Sequence, residues 1–237
     1  MKLPERVPRT SRAPKRSKLL KPRKPLPSNL SEIDQRLVWR IAALLLDYPS
    51  EQTIAMTDQL AAAATELPGE VRGPVLAFIS YFRDTDPLVL AAQYVETFDM
   101  RRRASLHLTY YAYGDTRKRG MALLRVKHAY RQAGVEVGDD ELPDYLPMVL
   151  EFAATVDHMQ GQRLLGENVP VLELLRLSLQ DSASPYVDLL AAILATLPPV
   201  NTADRRRIAE LAAQGPPGED VGLEPFAMDP LSPGGRR

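Results

Sequence analysis

Apolar residues recur along most of this chain at intervals of three and four, and prolines and glycines cut that pattern into short lengths. A period of 3.6 places such residues on one face of a helix, and helices this short must pack against one another to hide it. Val71, Val75, Phe78, Ile79 and Phe82 form one such stripe. Ser31, followed by Glu32 and Asp34, has the form of a helix start, with Ile33, Leu37, Ile41, Leu44 and Leu45 recurring behind it as far as Tyr48-Pro49. Trp39 falls within this helix and is expected in the packing. Ser50 is expected to cap a second helix with Ile54, Leu60 and Ala64 inward, closed by Leu67-Pro68-Gly69.

Asp86 followed by Pro87 is a cap with proline at the first helical position, where its missing N–H costs nothing. That helix is expected to put Leu88, Ala91, Tyr94, Val95 and Phe98 on one side. Further helices are predicted over 116–133, stopped by Gly134, and over 145–158. After a short link come 170–179, 185–197 and a last helix capped by Thr202 and running to about residue 213. No run of alternating β-branched residues asks to be a strand. The expected fold is all-α: a single helical-bundle domain of about 8–10 helices over residues 31–213, flanked by disordered tails.

Those tails carry the charge asymmetry of a nominally neutral chain. Residues 1–30 hold ten Lys or Arg against one acid, so from 30 of each sign the remainder carries twenty bases and 29 acids. With six prolines and few large apolar residues, this arm buries too little to offset the entropy of ordering. Nucleic acid or anionic lipid would suit its cations, but no aromatic residue is interleaved to stack on bases, and a solvated tail is the plainer reading. Residues 215–237 hold ten Gly or Pro in 23 positions, with Val221, Leu223, Phe226 and Met228 able to dock as an extended segment.

Several chemistries are missing. With no cysteine, the chain supplies no disulfide, thiolate metal ligand or cysteine nucleophile. The three histidines, His107, His128 and His158, lack ligand spacing, and no phosphate loop, dinucleotide fingerprint or nucleophile elbow is present. Asp139, Asp140, Glu141 and Asp144 lack the glycine and spacing of a calcium loop. No apolar run approaches the roughly 20 residues of a membrane span, and the N-terminus lacks a secretory core. A cytoplasmic non-enzyme without catalytic residues, metal or cofactor is expected.

Specificity concentrates between residues 94 and 151, which contain six of the nine tyrosines. Arg117, Lys118 and Arg119 follow Asp115 in what should be the first turn of a helix, where the dipole disfavours cations. Local violations of this kind gather at functional sites. A carboxylate, a phosphate or an acidic peptide would suit the cluster, and so would an internal bridge to the acids at 139–144. Tyr110, Tyr111 and Tyr113 cannot share one helix face, so some should line a surface that grips partners, although each alone also fits between helices. Arg101, Arg102 and Arg103 either complement a helix end, with an Asp99–Arg103 pair, or read a partner's acidic groups.

The segments YVETFDMRRRASLHLTYYAYGDTRKRG and ELPDYLPMVLEFAA, with the opening RLVWRIAALLLDYPS, resemble the NarJ branch of the molybdoenzyme maturation chaperones, relatives of the TorD and DmsD chaperones. The resemblance covers roughly residues 31–200. It implies an all-helical, cytoplasmic chaperone that binds the apo catalytic (alpha) subunit of respiratory nitrate reductase, including its N-terminal segment. Such a chaperone keeps the subunit open for molybdenum cofactor insertion and prevents premature docking on the membrane subunit, with molybdenum cofactor biosynthesis proteins as further candidate partners. Under this reading nucleic acid is not expected as a partner; the alternative is a helical nucleic-acid or membrane adaptor acting through the basic N-terminal arm. The expected partner-binding residues are Tyr94, Phe98, Arg101, Tyr110, Tyr111, Tyr113, Asp115, Arg117, Arg119, Asp144, Tyr145 and Glu151.

Overall fold

A computed structural model describes residues 29–114, 116–138 and 141–215. The expectations for the arm at 1–28, for 216–237, and for Asp115, Asp139 and Asp140 lie outside these residues. Among the described residues there are twelve α-helices and no strand, so the chain is all-α.

The early helices start where side chains satisfy free backbone donors. α1 (Glu32–Leu45) opens on a capping box: Ser31 Oγ accepts from Asp34 N at 3.2 Å, and the Asp34 carboxylate accepts from Ser31 N at 3.2 Å. Ser50 Oγ accepts from Thr53 N at 3.1 Å to open α2 (Glu51–Ala55), which a break at Met56 separates from α3 (Thr57–Ala64). α4 is Gly69–Asp84, and all five residues of its expected stripe are buried. Asp86 Oδ1 accepts from Leu88 N at 2.9 Å at the head of α5 (Pro87–Tyr94).

Beyond Tyr94 the helix widens into a π turn over Val95–Asp99, closed by Met100 N donating to Val95 O at 3.0 Å. The inward line there is Leu90, Tyr94 and Phe98. Leu88 and Val95, expected on the same side, instead face solvent. A 3-10 turn at Arg102–Ala104 and an extended stretch lead to α6 (Tyr110–Tyr113) and α7 (Arg117–Gln132), which stops at Gly134 with φ +80°. The second half holds α8 (Leu146–Thr155), α9 (His158–Glu167), α10 (Val169–Asp181), α11 (Val187–Ala195) and α12 (Thr202–Gln214).

Several local readings are corrected. The stretch after residue 158 is the helix α9 and not a link. α1 stops at Leu45, and its buried face is Val38, Trp39, Ile41, Ala42 and Leu45, leaving Ile33 in the first turn 77 % exposed. Asn201, and not Thr202, caps α12: Asn201 Oδ1 accepts from Ala203 N at 2.8 Å, and Asp204 closes a capping box.

The bundle pairs α1 with α8 and α4 with α11, while α9 lies on α8 and α10 runs against α11 and α12. Trp39 is fully buried, and its indole N–H donates to Thr196 Oγ1 at 2.7 Å. Phe78, Phe98 and Tyr94 converge on Tyr186, with ring centroids 4.8, 4.8 and 6.3 Å from it. Edge and tilted contacts of this kind add to the area the rings bury. Among the described residues no helix is long and apolar enough to cross a membrane.

Candidate functional site

Leu106 and Leu108 are buried on either side of His107, where the chain meets the segment entering α8 before turning at Leu108 and Thr109 into α6. Leu108 N donates to Asp144 O at 3.0 Å and Leu146 N to Leu106 O at 2.9 Å, around an antiparallel bridge between His107 and Tyr145. These contacts clamp the segment before α6 to the start of α8.

Asp144 lies under that clamp, fully buried. Its Oδ2 accepts from Thr109 N at 2.9 Å and from Thr109 Oγ1 at 2.5 Å, and its Oδ1 is 3.4 Å from His107 Nδ1. Burial alone pushes the carboxyl up. The His107 imidazole 3.4 Å away and the hydrogen bonds from the side chain and backbone of Thr109 outweigh burial and hold it below its ordinary 3.8. Asp144 is thus tied within the frame and is no counter-charge for α7.

A second polar link joins three segments. The Tyr145 hydroxyl donates to Asp47 Oδ1 at 3.1 Å and lies 2.8 Å from the Tyr94 hydroxyl, itself 3.3 Å from the Leu46 carbonyl. Burial raises the pKa of both tyrosines, so they remain protonated donors. Tyr94 also packs on Phe98, centroids 4.9 Å apart, and takes the edge of the half-exposed Tyr48 at 5.5 Å. Tyr94 and Phe98 are core residues, 5 % and 7 % exposed.

The outward part of the site is the corner between α6 and α7. Tyr110, Tyr111 and Tyr113 are each half-buried on one turn of helix. Tyr111 packs on the cluster of Val171, Leu174 and Leu211, and the Arg119 guanidinium stands 5.4 Å from the Tyr110 ring centroid, within cation–π range. Arg117 and Lys118 are exposed in the first turn of α7, which has no acidic residue and no side-chain cap at Thr116. The cationic helix start expected from the sequence is therefore present.

Two other candidates are engaged separately. Arg101 Nη2 is 2.7 Å from Glu96 Oε1, and Glu151 on α8 pairs with Arg40 on α1. The corner thus gathers Tyr110, Tyr111, Tyr113, Arg117 and Arg119; Asp144 holds its start to the entry of α8 through Thr109, while Tyr94 and Phe98 lie in the core around Tyr186. Sequence reasoning missed His107, Thr109 and Asp47. The two-residue alternation of Leu106 and Leu108 was the available signal for the first two.

Among the described residues no cluster of three or more metal-ligating side chains occurs. The fold and corner define a class: an all-helical scaffold that spends its buried polar groups on its own frame and turns cations and tyrosine rings outward. The family model described as the nitrate reductase delta subunit matches residues 64–192, and the chain belongs to that family. It is 33 % identical over 177 residues to the Escherichia coli K12 nitrate reductase molybdenum cofactor assembly chaperone NarJ, covering 73 % of this chain and 74 % of that one. To the probable NarJ of Bacillus subtilis it is 31 % identical over 169 residues, 71 % of this chain and 92 % of that one. To the nitrate reductase-like protein NarX of Mycobacterium tuberculosis it is 42 % identical over 161 residues, 68 % of this chain, which spans only 24 % of that longer protein.

Proposed function

We propose that this protein is a chaperone for the catalytic subunit of a nitrate reductase, binding the apo subunit through its N-terminal segment and keeping it open for molybdenum cofactor insertion. The reading is supported by the two NarJ relatives, whose names state nitrate reductase molybdenum cofactor assembly, and by the basic aromatic corner. Tyrosine and arginine side by side are the composition of a binding hot spot. The partner segment lies as an amphipathic helix across Tyr110, Tyr113, Arg117 and Arg119, with Arg101 and Glu151 flanking, Asp144 holding the corner through Thr109, and Tyr94, Phe98 and Tyr145 in the frame.

Preference for the immature subunit is what such a device requires, because equal affinity for both forms shifts no equilibrium. Folding of the subunit around its cofactor withdraws the segment, and release follows without nucleotide hydrolysis. Titration of a peptide of the catalytic subunit's N-terminus tests the assignment. Arg117→Glu and Tyr110→Ala should each weaken binding about tenfold or more, as loss of an interface anchor does; unchanged affinity in both rejects the corner.

A further inference from the structure

The helix α5, PLVLAAQY, carries no charged side chain, yet only Leu90 and Tyr94 of its eight residues are buried. A helix apolar all round is ordinarily covered on every side. Among the described residues the chief neighbour of α5 is the π turn that continues it. Leu88, Ala92 and Val95, spaced by four and three residues, lie on one outer face, with Val89 beside them and Met100 beyond the turn. Leu88 is 81 % exposed and Met100 74 %, while Val89 and Val95 are 45 % and 37 % exposed. Gln93, the one amide of the helix, accepts a hydrogen bond from the Tyr81 hydroxyl of α4 and is taken up by its own chain. Apolar side chains scattered singly over a surface are ordinary; a row along one helix face marks a contact site.

The two ends of this face differ in charge. At its start stand the exposed Asp84 and Asp86, with Asp58 of α3 3.9 Å from Arg83, so three acids meet one cation. At its far end the exposed Arg101, Arg102 and Arg103 outnumber Glu96 and Asp99. The apolar row therefore runs from an acidic end to a basic one.

We propose that this face pairs with the same face of a second copy of the chain, α5 against α5, antiparallel about a two-fold axis near Ala92. The acidic end of each copy then meets the arginines of the other, and each such contact occurs twice. The helix dipoles also oppose one another favourably. A parallel pairing would set like charges together. Ala92, the smallest side chain of the row, stands at the crossing, where a short side chain lets the helix axes approach. Anionic lipid and nucleic acid suit the face less well, because the carboxylates at its start repel both. Self-association through α5 is independent of the chaperone reading.

Sedimentation equilibrium of the full chain, from about 0.5 to 100 µM, tests the pairing. The average mass should climb from the monomer's 26.4 kDa toward twice that value. A Kd on the order of 10 µM is expected for a contact of one helix per copy, and the thermal midpoint should rise with concentration in step. Leu88→Asp with Ala92→Asp, both on the exposed row, should hold the chain monomeric throughout the range. Asp84→Arg and Arg103→Asp should each weaken association about fivefold, since each change counts twice across the axis. The two together in one chain should restore it, and they decide the matter even where the first pair disturbs the helix. A mass that stays at 26.4 kDa at every concentration overturns the proposal. So does association that survives Leu88→Asp with Ala92→Asp, a dimer that does not dissociate on dilution, or failure of the combined charge variant to recover. A monomer that instead floats with phosphatidylglycerol vesicles until Leu88 is replaced gives the face to lipid and overturns it as well.

Discussion

Thr109 is held to Asp144 by two hydrogen bonds at once, from its amide at 2.9 Å and its hydroxyl at 2.5 Å, across 35 positions of sequence. This pairing fixes α6 to the entry of α8, and with it the orientation of the tyrosine and arginine corner. Asp144→Ala leaves both Thr109 donors buried without their acceptor. Each orphaned group costs about 1–3 kcal/mol, so the urea midpoint should fall clearly, and peptide affinity should fall with it. Asp144→Asn, which preserves shape and one acceptor, should lie between.

Acid should weaken the fold in two steps of the same sign. His158 stacks on Trp39 with centroids 5.1 Å apart and lies 2.9 Å from Gln35 Oε1, with Glu32, Arg36 and Asp157 as its charged neighbours. Burial holds its pKa below the ordinary 6.5, partly opposed by Glu32. The unfolded chain therefore takes up this proton first, and stability that is full above pH 6.5 is lost as pH falls through the depressed folded value. Asp144, whose folded pKa is also depressed, contributes stability above its ordinary 3.8 and loses it at lower pH still. Thermal melts should decline from about pH 6.5 downward, and His158→Gln should flatten the upper part of that decline while leaving the lower.

The crossing of α8 and α9 has no room for a methyl group at Gly161. A Cβ there would sit 2.2 Å from Ala153 Cβ and 2.3 Å from Ala153 Cα, and the backbone cannot yield without parting the helices. Gly161→Ala should destabilise by about 2–3 kcal/mol, the upper part of the overpacking range. Gly166, on the same helix with open space around it, is the control. Gly166→Ala should be neutral or stabilise by up to about 1 kcal/mol.

These cases show where sequence is readable and where it is not. Caps are local chemistry, so Ser31, Ser50 and Asp86 were legible, and the α4 stripe is a pure periodicity that tertiary packing respects. α9 is hard to see in the sequence because two glycines and its polar residues mask the period, and Gly161 shows its purpose only against Ala153. Phe98, four residues after Tyr94, keeps to the inward side as the four-residue spacing predicts, while Val95, next to the inward Tyr94, faces out. At the site, the cationic start of α7 could be seen from composition. The burial of Asp144 could not, because its partners His107 and Thr109 lie in a different segment.

The chaperone account rests on discrimination between two states of one partner. Affinity measured side by side for the apo catalytic subunit and for the same subunit loaded with molybdenum cofactor tests it most directly. The account predicts that the apo form binds at least about a hundredfold more tightly, a difference of about 2.7 kcal/mol that is sufficient to drive release on maturation. Equal affinity for the two forms, or binding to neither, would contradict it.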